Sequence, residues 1–160
     1  PGGKVGLYSG MAKVANTSAR IAAVLAHEIA HAIARHGGQR MSAQIGQELL
    51  MGILSVATLS ELSKDKRQLA LAALGLGTTV GVILPFSRSN ELEADEIGLV
   101  LMATAGFDPR EAVVLWRRME EIAGSSGASF LSTHPSNRQR QERLNQLMPR
   151  ALSIYQKKVH

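Results

Sequence analysis

Residues 25–40 read LAHEIAHAIARHGGQR, which places two histidines four apart inside a run made mostly of Ala, Ile and Leu. On a helix turning by about 100° per residue, His27 and His31 share one face. Leu25, Ile29 and Ile33 take the far side, and Ala22, Ala26, Ala30 and Ala32 fill much of the rest. A helix that is apolar nearly all round belongs in an interior, so the chain is expected to fold around it. Neutral imidazoles pointing inward need partners, because each carries a donor and an acceptor that hydrocarbon leaves unsatisfied. A metal ion satisfies both rings at once. In the pattern H-E-x-x-H the i, i+4 pair brings two nitrogens to one zinc. Glu28, offset from His27 by about 100°, can reach water at the metal without being a ligand.

The chain around this helix is large enough for one domain with a core, at 160 residues and 45% hydrophobic content. It has no cysteine, which excludes disulfides and thiolate metal sites. Lys and Arg outnumber Asp and Glu by 18 to 13, and the excess sits late, at Arg138, Arg140, Arg143, Arg150, Lys157 and Lys158. A solvated helix face accounts for such a run. With aromatics at 4%, base stacking has little support and nucleic acid is set aside as a partner. The chain opens on PGGKVGLYSG with neither an initiator Met nor a charged-then-apolar leader, so the true amino terminus is expected upstream.

The pattern predicts a mainly α (α+β) fold, one domain over 1–160 without internal repeats. Lys4 to Tyr8 alternates and is expected to form one short edge strand. A first helix is expected from Thr17 or Ser18 to Gly37-Gly38, where a left-handed residue is cheap. A second apolar stretch covers Ser42 to Leu62. After the charged Lys64-Asp65-Lys66-Arg67 comes LALAALGLGTTVGVILPF, residues 69–86, without a charge. That length approaches the roughly 20 apolar residues of a membrane span. Its three glycines, two threonines and Pro85 fit a pair of short buried or interfacial helices better, with membrane association through 69–86 as the alternative. Helices are then expected from Glu91 to Ala105, ended by Gly106, and from the capping-box pattern Asp108-Pro109-Arg110-Glu111 to Ile122. After GSSGASFLST, Ser136 can cap a last helix ending before Pro149.

A catalytic metal needs a third protein ligand. A histidine six residues after His31 would complete a metzincin pattern, but Gly37 stands there. His36 falls on another face and reads as a second-face or surface residue. The stretch SRSNELEADEIG offers Glu91, Glu93, Asp95 and Glu96. Glu91 and Asp95 share a face with Gly98 nearby, where helices can approach closely, and Asp95 could accept the outer N–H of a ligating histidine. The same residues also fit an acidic, solvated first turn favoured by the helix dipole.

Three motifs in order, H-E-x-x-H, N-E-x-E-A-D-x-x-G and T-H-P-S-x-x-x-R, resemble the gluzincin metalloproteases of peptidase family M48. The opening PGGKVGLYSG resembles that family's edge strand before the zinc helix, so the likeness runs from Pro1 to about Leu147. The resemblance implies a minimal zincin-like core with helices packed around the zinc helix and one Zn2+ per chain. It also implies His27, His31 and Glu91 as ligands, Glu28 as general base and Asp95 behind a ligand. His134 is implied to assist the oxyanion or, in some members, to occupy the open metal position as a switch. Arg140 matches the motif's arginine and is implied to support substrate or oxyanion, with Arg138 close enough to compete for the assignment. The function implied is a zinc endopeptidase acting on unfolded or misfolded polypeptide. Its implied place is a bacterial cell envelope or periplasm, or the intermembrane-space side of the mitochondrial inner membrane. Some relatives carry a membrane-crossing insertion where residues 69–86 lie. Two other classes stay open: a non-catalytic chaperone-like domain with a closed four-ligand zinc, and a membrane-associated scaffold.

Overall fold

The computed structural model describes residues 5–7, 9–57, 59, 61–122, 134–135 and 138–159, without the side chains of 82, 85 and 86. Among these the regular structure is helical: α1 (Met11–Val14), α2 (Ser18–Ile33), α3 (His36–Ala57), α4 (Lys64–Thr78), a π-helical turn (Thr79–Ile83), α5 (Leu84–Thr104), α6 (Arg110–Ile122) and α7 (Arg138–Val159). The edge strand expected at Lys4–Tyr8 falls partly outside the described residues, and Val5 to Leu7 carry no regular structure. A lone extended segment has its backbone groups left to solvent. The Gly/Ser-rich stretch 124–133 and the Ser136 cap also lie outside the described residues.

Two compact units divide the chain, one formed by Pro1–Ala34 with Glu91–His160, the other by Arg35–Asn90. The first is built around α2. Thr17 takes an extended conformation and its hydroxyl accepts the Arg20 N–H at 3.3 Å, satisfying one of the helix's orphan donors. The core joins Val24 and Ala26 of α2 to Leu99 and Met102 of α5, Leu115 and Trp116 of α6, and Leu144 of α7. At Gly98 an added Cβ would lie 3.1 Å from the His27 nitrogen and 3.2 Å from the Ala26 carbonyl carbon, so α5 crosses α2 backbone to backbone. Arg20 of α2 donates to Glu111 of α6 at 2.6 Å, and Arg118 of α6 donates to the Val14 carbonyl of α1 at 3.2 Å.

Several expected boundaries move. α2 ends at Ile33, and Arg35 just beyond it takes the left-handed conformation at φ 57°, while Gly37 and Gly38 sit inside the first turn of α3. α2 is also not buried on every side: Ile29 and Ile33 stay 44% and 58% exposed, since the packing of α5 and α6 covers one side of it. α5 ends as expected at Gly106, at φ 82°, with Phe107 N–H donating to Met102 O and Gly106 N–H to Ala103 O. Those two bonds form a Schellman motif. The capping box at Asp108 is only half made, because Asp108 accepts the Arg110 N–H but the Glu111 carboxylate is taken by Arg20. α7 runs through Pro149 to Val159 instead of stopping before it. Proline removes the donor that would bond the Asn145 carbonyl. Beyond it Ala151, Ile154 and Tyr155 pack on the core and hold the helix in place.

The second unit contains α3, α4, the π turn and the start of α5, whose helix is continuous through Ser87–Asn90, where a break was expected. Two polar staples tie α3 to later residues of the same unit: Arg67 donates to the Ser55 hydroxyl at 2.6 Å, and Gln47 donates to the Thr78 hydroxyl at 2.8 Å. The Thr78 and Thr79 hydroxyls bond back to the Gly75 carbonyl at 3.0 and 2.8 Å, at the entry to the π turn. Such back-bonding and π turns go together with local bending. Of the buried or interfacial helices expected over 69–86, burial is corrected here. α4 contains no buried residue, and Leu69 is 73% exposed. Among the described residues no helix is long and apolar enough to cross a membrane.

Candidate metal centre

One ligand atom each from His27, His31, Glu91 and His134 lies within 4.8 Å of the others. α2 supplies the first two from adjacent turns, α5 supplies Glu91 one turn before Asp95, and His134 precedes α7. His27 Nε2 stands 3.1 Å from His31 Nε2, 3.3 Å from Glu91 Oε2 and 3.4 Å from His134 Nδ1. Glu91 lies 3.4 Å from His31 Nε2 and 3.2 Å from His134 Nδ1. A tetrahedral zinc with bonds of about 2.0–2.1 Å has corners about 3.4 Å apart. The donors are therefore spaced as corners of that tetrahedron, and three imidazoles with one carboxylate are a donor set suited to a borderline cation. The four side chains together form a group that could hold a metal ion.

The other nitrogen of His27, Nδ1, stands 3.1 Å from Asp95 Oδ1. Asp95 is gripped by Arg140, whose Nε and one terminal nitrogen meet its two oxygens at 2.6 Å each. Burial disfavours charge on His27, but hydrogen bonds to Asp95 and Glu91 outweigh it and raise its pKa above the ordinary imidazole value. Burial likewise works against the Glu91 carboxylate, yet hydrogen bonds from His134 and His27 and the charge of Arg140 hold its pKa below the usual carboxylate range. For Asp95, too, the hydrogen bonds from Arg140 and His27 outweigh burial and lower the pKa. Both carboxyls are thus anionic at neutral pH, and a cation entering the cluster displaces protons from the imidazoles.

The Peptidase family M48 model matches residues 1–148. The chain belongs to peptidase family M48. It is 39% identical over 154 residues to the mitochondrial metalloendopeptidase OMA1 of Schizosaccharomyces pombe, covering 94% of this chain and 43% of that protein. It is 34% identical over 157 residues to the mitochondrial metalloendopeptidase OMA1 of Arabidopsis thaliana, covering 97% of this chain and 30% of that protein. To the beta-barrel assembly-enhancing protease of Escherichia coli K12 it is 32% identical over 156 residues, covering 92% and 32%. The chain thus spans less than half the length of these relatives. No solved structure matches it significantly.

In this M48 chain Glu28 stands beside the donor cluster and outside it, with Oε1 3.5 Å from His134 Nε2. That oxygen is buried and has no hydrogen-bond partner among the described residues. Of the other acidic residues near Glu91, Glu93 lies outside the donor group, and Glu96 pairs with Arg143 at 2.9 Å. Arg138 pairs with Glu142 at 2.7 Å on the outer face of α7, whereas Arg140 meets Asp95 and Glu91. His36 is buried and not at the surface as expected, because the break at Arg35 ends the helical phase from which its direction was extrapolated. Sequence reasoning missed Trp116. Its ring lies 3.9 Å from the Arg140 guanidinium carbon and stands edge-on to His27 at 5.5 Å. The signal for it was thin: it is the chain's one tryptophan, at an apolar position of an amphipathic helix beside Arg117 and Arg118.

Proposed function

We propose that this chain carries the catalytic centre of a zinc-dependent endopeptidase that cleaves unfolded or misfolded polypeptide, with residues 1–160 working as one protease domain. What carries the reading is the tetrahedral spacing of four donor atoms beside a carboxylate, Glu28, whose buried oxygen has no hydrogen-bond partner among the described residues. In this reading His27, His31 and Glu91 hold one zinc, and Asp95 fixes the tautomer and orientation of His27 through its outer nitrogen. When bound, the cation polarises the scissile carbonyl and lowers the pKa of a coordinated water. Glu28 takes the proton: its Oε1 lies 3.5 Å from Nε2 of the His134 ring, whose Nδ1 fills the fourth corner. His134 then has two positions. Seated, it closes the fourth corner and the chain is latent. Withdrawn, it admits water and substrate and leaves an N–H to donate to the oxyanion. We place the activity in quality control of a bacterial cell envelope, with the intermembrane-space side of the mitochondrial inner membrane as the alternative that the OMA1 relatives support.

A four-donor set also fits a purely structural zinc, and two variants separate the readings. Glu28→Gln should bind one zinc per chain and hydrolyse casein at least about 100-fold more slowly, the range for loss of a general base. His134→Ala should hydrolyse casein faster than the parent chain, because the fourth corner is open from the start. Full activity in Glu28→Gln sinks the mechanism. No hydrolysis by either the parent or His134→Ala, with zinc bound in both, establishes the structural reading instead.

A further inference from the structure

Arg140 is 2% exposed, so its guanidinium does not face the solvent from which a peptide arrives. Its donors are committed inward. Nε and one terminal nitrogen hold the two oxygens of Asp95, and the other terminal nitrogen lies 3.0 Å from Glu91 Oε2 and 3.1 Å from the Pro135 carbonyl. Trp116 stacks on the guanidinium face and fixes its plane. We infer that Arg140 is a positioning residue of the metal centre: it holds Asp95 behind His27 and Glu91 against the donor cluster, and through Pro135 it ties the His134 turn to both. This rests on the metal reading above and replaces the substrate or oxyanion support that the motif implies for this arginine.

The physical case starts from two buried carboxylates one helical turn apart on α5. Without a nearby cation their like charges repel and favour rotation of one of them away from the other, which loses the acceptor that orients His27. A point charge could neutralise the pair, but only a planar fork meets both Asp95 oxygens at once and leaves a defined lone pair toward His27 Nδ1. The third arm is what makes Arg140 more than a counter-ion. Pro135 directly follows His134, so the backbone beside the fourth donor hangs from the same guanidinium that holds Glu91 and, through Asp95, sets His27. A shift of His134 out of the cluster must stretch or break that bond.

The test is metal binding, read with Co2+ and by competition with Zn2+ in the full chain. Arg140→Lys keeps the charge and removes the fork. It should weaken metal binding by about 10- to 100-fold, the cost of losing the partner behind a ligand, and should change the visible spectrum of the cobalt form. Asp95→Asn, which keeps the guanidinium and the volume, should lose a similar factor, and the double variant should be little worse than either single because both act along one path. An arginine needed only for folding would lower the unfolding midpoint and leave the cobalt spectrum and affinity of the folded protein unchanged. Binding within twofold of the parent with an unchanged spectrum in Arg140→Lys overturns the inference. Should that variant not fold, Asp95→Asn decides on the same criterion. A parent chain that binds no Co2+ sinks the metal reading and this inference with it, whereas a binding parent with an indifferent Arg140→Lys sinks the inference alone.

Discussion

The unit made of Pro1–Ala34 and Glu91–His160 hides charge, while the unit Arg35–Asn90 displays hydrocarbon. In the first, His27, Glu91, Asp95 and Arg140 are all buried; in the second, Val56 and Leu69 are 72% and 73% exposed. Hydropathy alone would sort these side chains the other way round. The difference teaches that burial is decided by available partners. Each buried charge of the first unit has an opposite charge or hydrogen bond within reach, which removes most of the cost of leaving water. A helix pair, by contrast, offers each helix only the stripe facing its neighbour, so apolar residues on the outer faces of α3 and α4 have nothing in their own unit to pack against.

The comparison breaks most visibly under core truncation. Leu115→Ala should cost about 2–5 kcal/mol, the range for emptying a packed core site. Leu69→Ala should change stability by less than about 0.5 kcal/mol, as surface substitutions do. Urea midpoints measure both, and equal losses would mean that the exposure of the second unit is not a property of the protein in solution. Glycine gives a sharper version, because the sign should differ. Gly98→Ala forces a methyl against the His27 and Ala26 backbone and should cost about 1–3 kcal/mol, as overpacking does. Gly77→Ala meets nothing within 4 Å and should stabilise by up to about 1 kcal/mol through helix propensity. The smallest effect is electrostatic. The hydrogen bond from Arg110, opposed by slight burial, lowers the Asp108 pKa, so its contribution is present above the ordinary carboxylate value and lost as pH falls through the lowered one. Asp108→Asn should therefore lower the melting temperature slightly at neutral pH, by an amount that shrinks between about pH 5 and pH 2. A difference that grew in acid would reverse the sign and remove the pair from the account.

How much of this was legible in the sequence depends on whether a local rule suffices. The Thr17 cap and the Gly106 stop were readable because capping chemistry involves residues a few positions apart. The family motifs likewise single out His27, Glu28, His31, Glu91 and His134. The end of α2 was not readable, because Arg35 takes a left-handed conformation that glycine two residues later would adopt at less cost. Nor was α7 beyond Pro149, since the lost hydrogen bond is local but the packing of Ala151 and Tyr155 that offsets it comes from elsewhere in the chain. The roles of Trp116 and Arg140 depend on which faces of α6 and α7 meet α5, and no spacing within either helix carries that information.

By itself, the order of residues determined that one helix would hold two imidazoles on one face with a carboxylate beside them, because an α-helix has a set pitch and its i, i+4 neighbours result from it. The distance between motifs was a tertiary matter. Glu91 stands sixty-four positions after His27 and His134 a further forty-three, and the backbone contact at Gly98 and the Arg140 fork help bring them to 3.2–3.4 Å. Those separations arise from packing between helices, where excluded volume and paired charge act between residues that the chain order keeps apart.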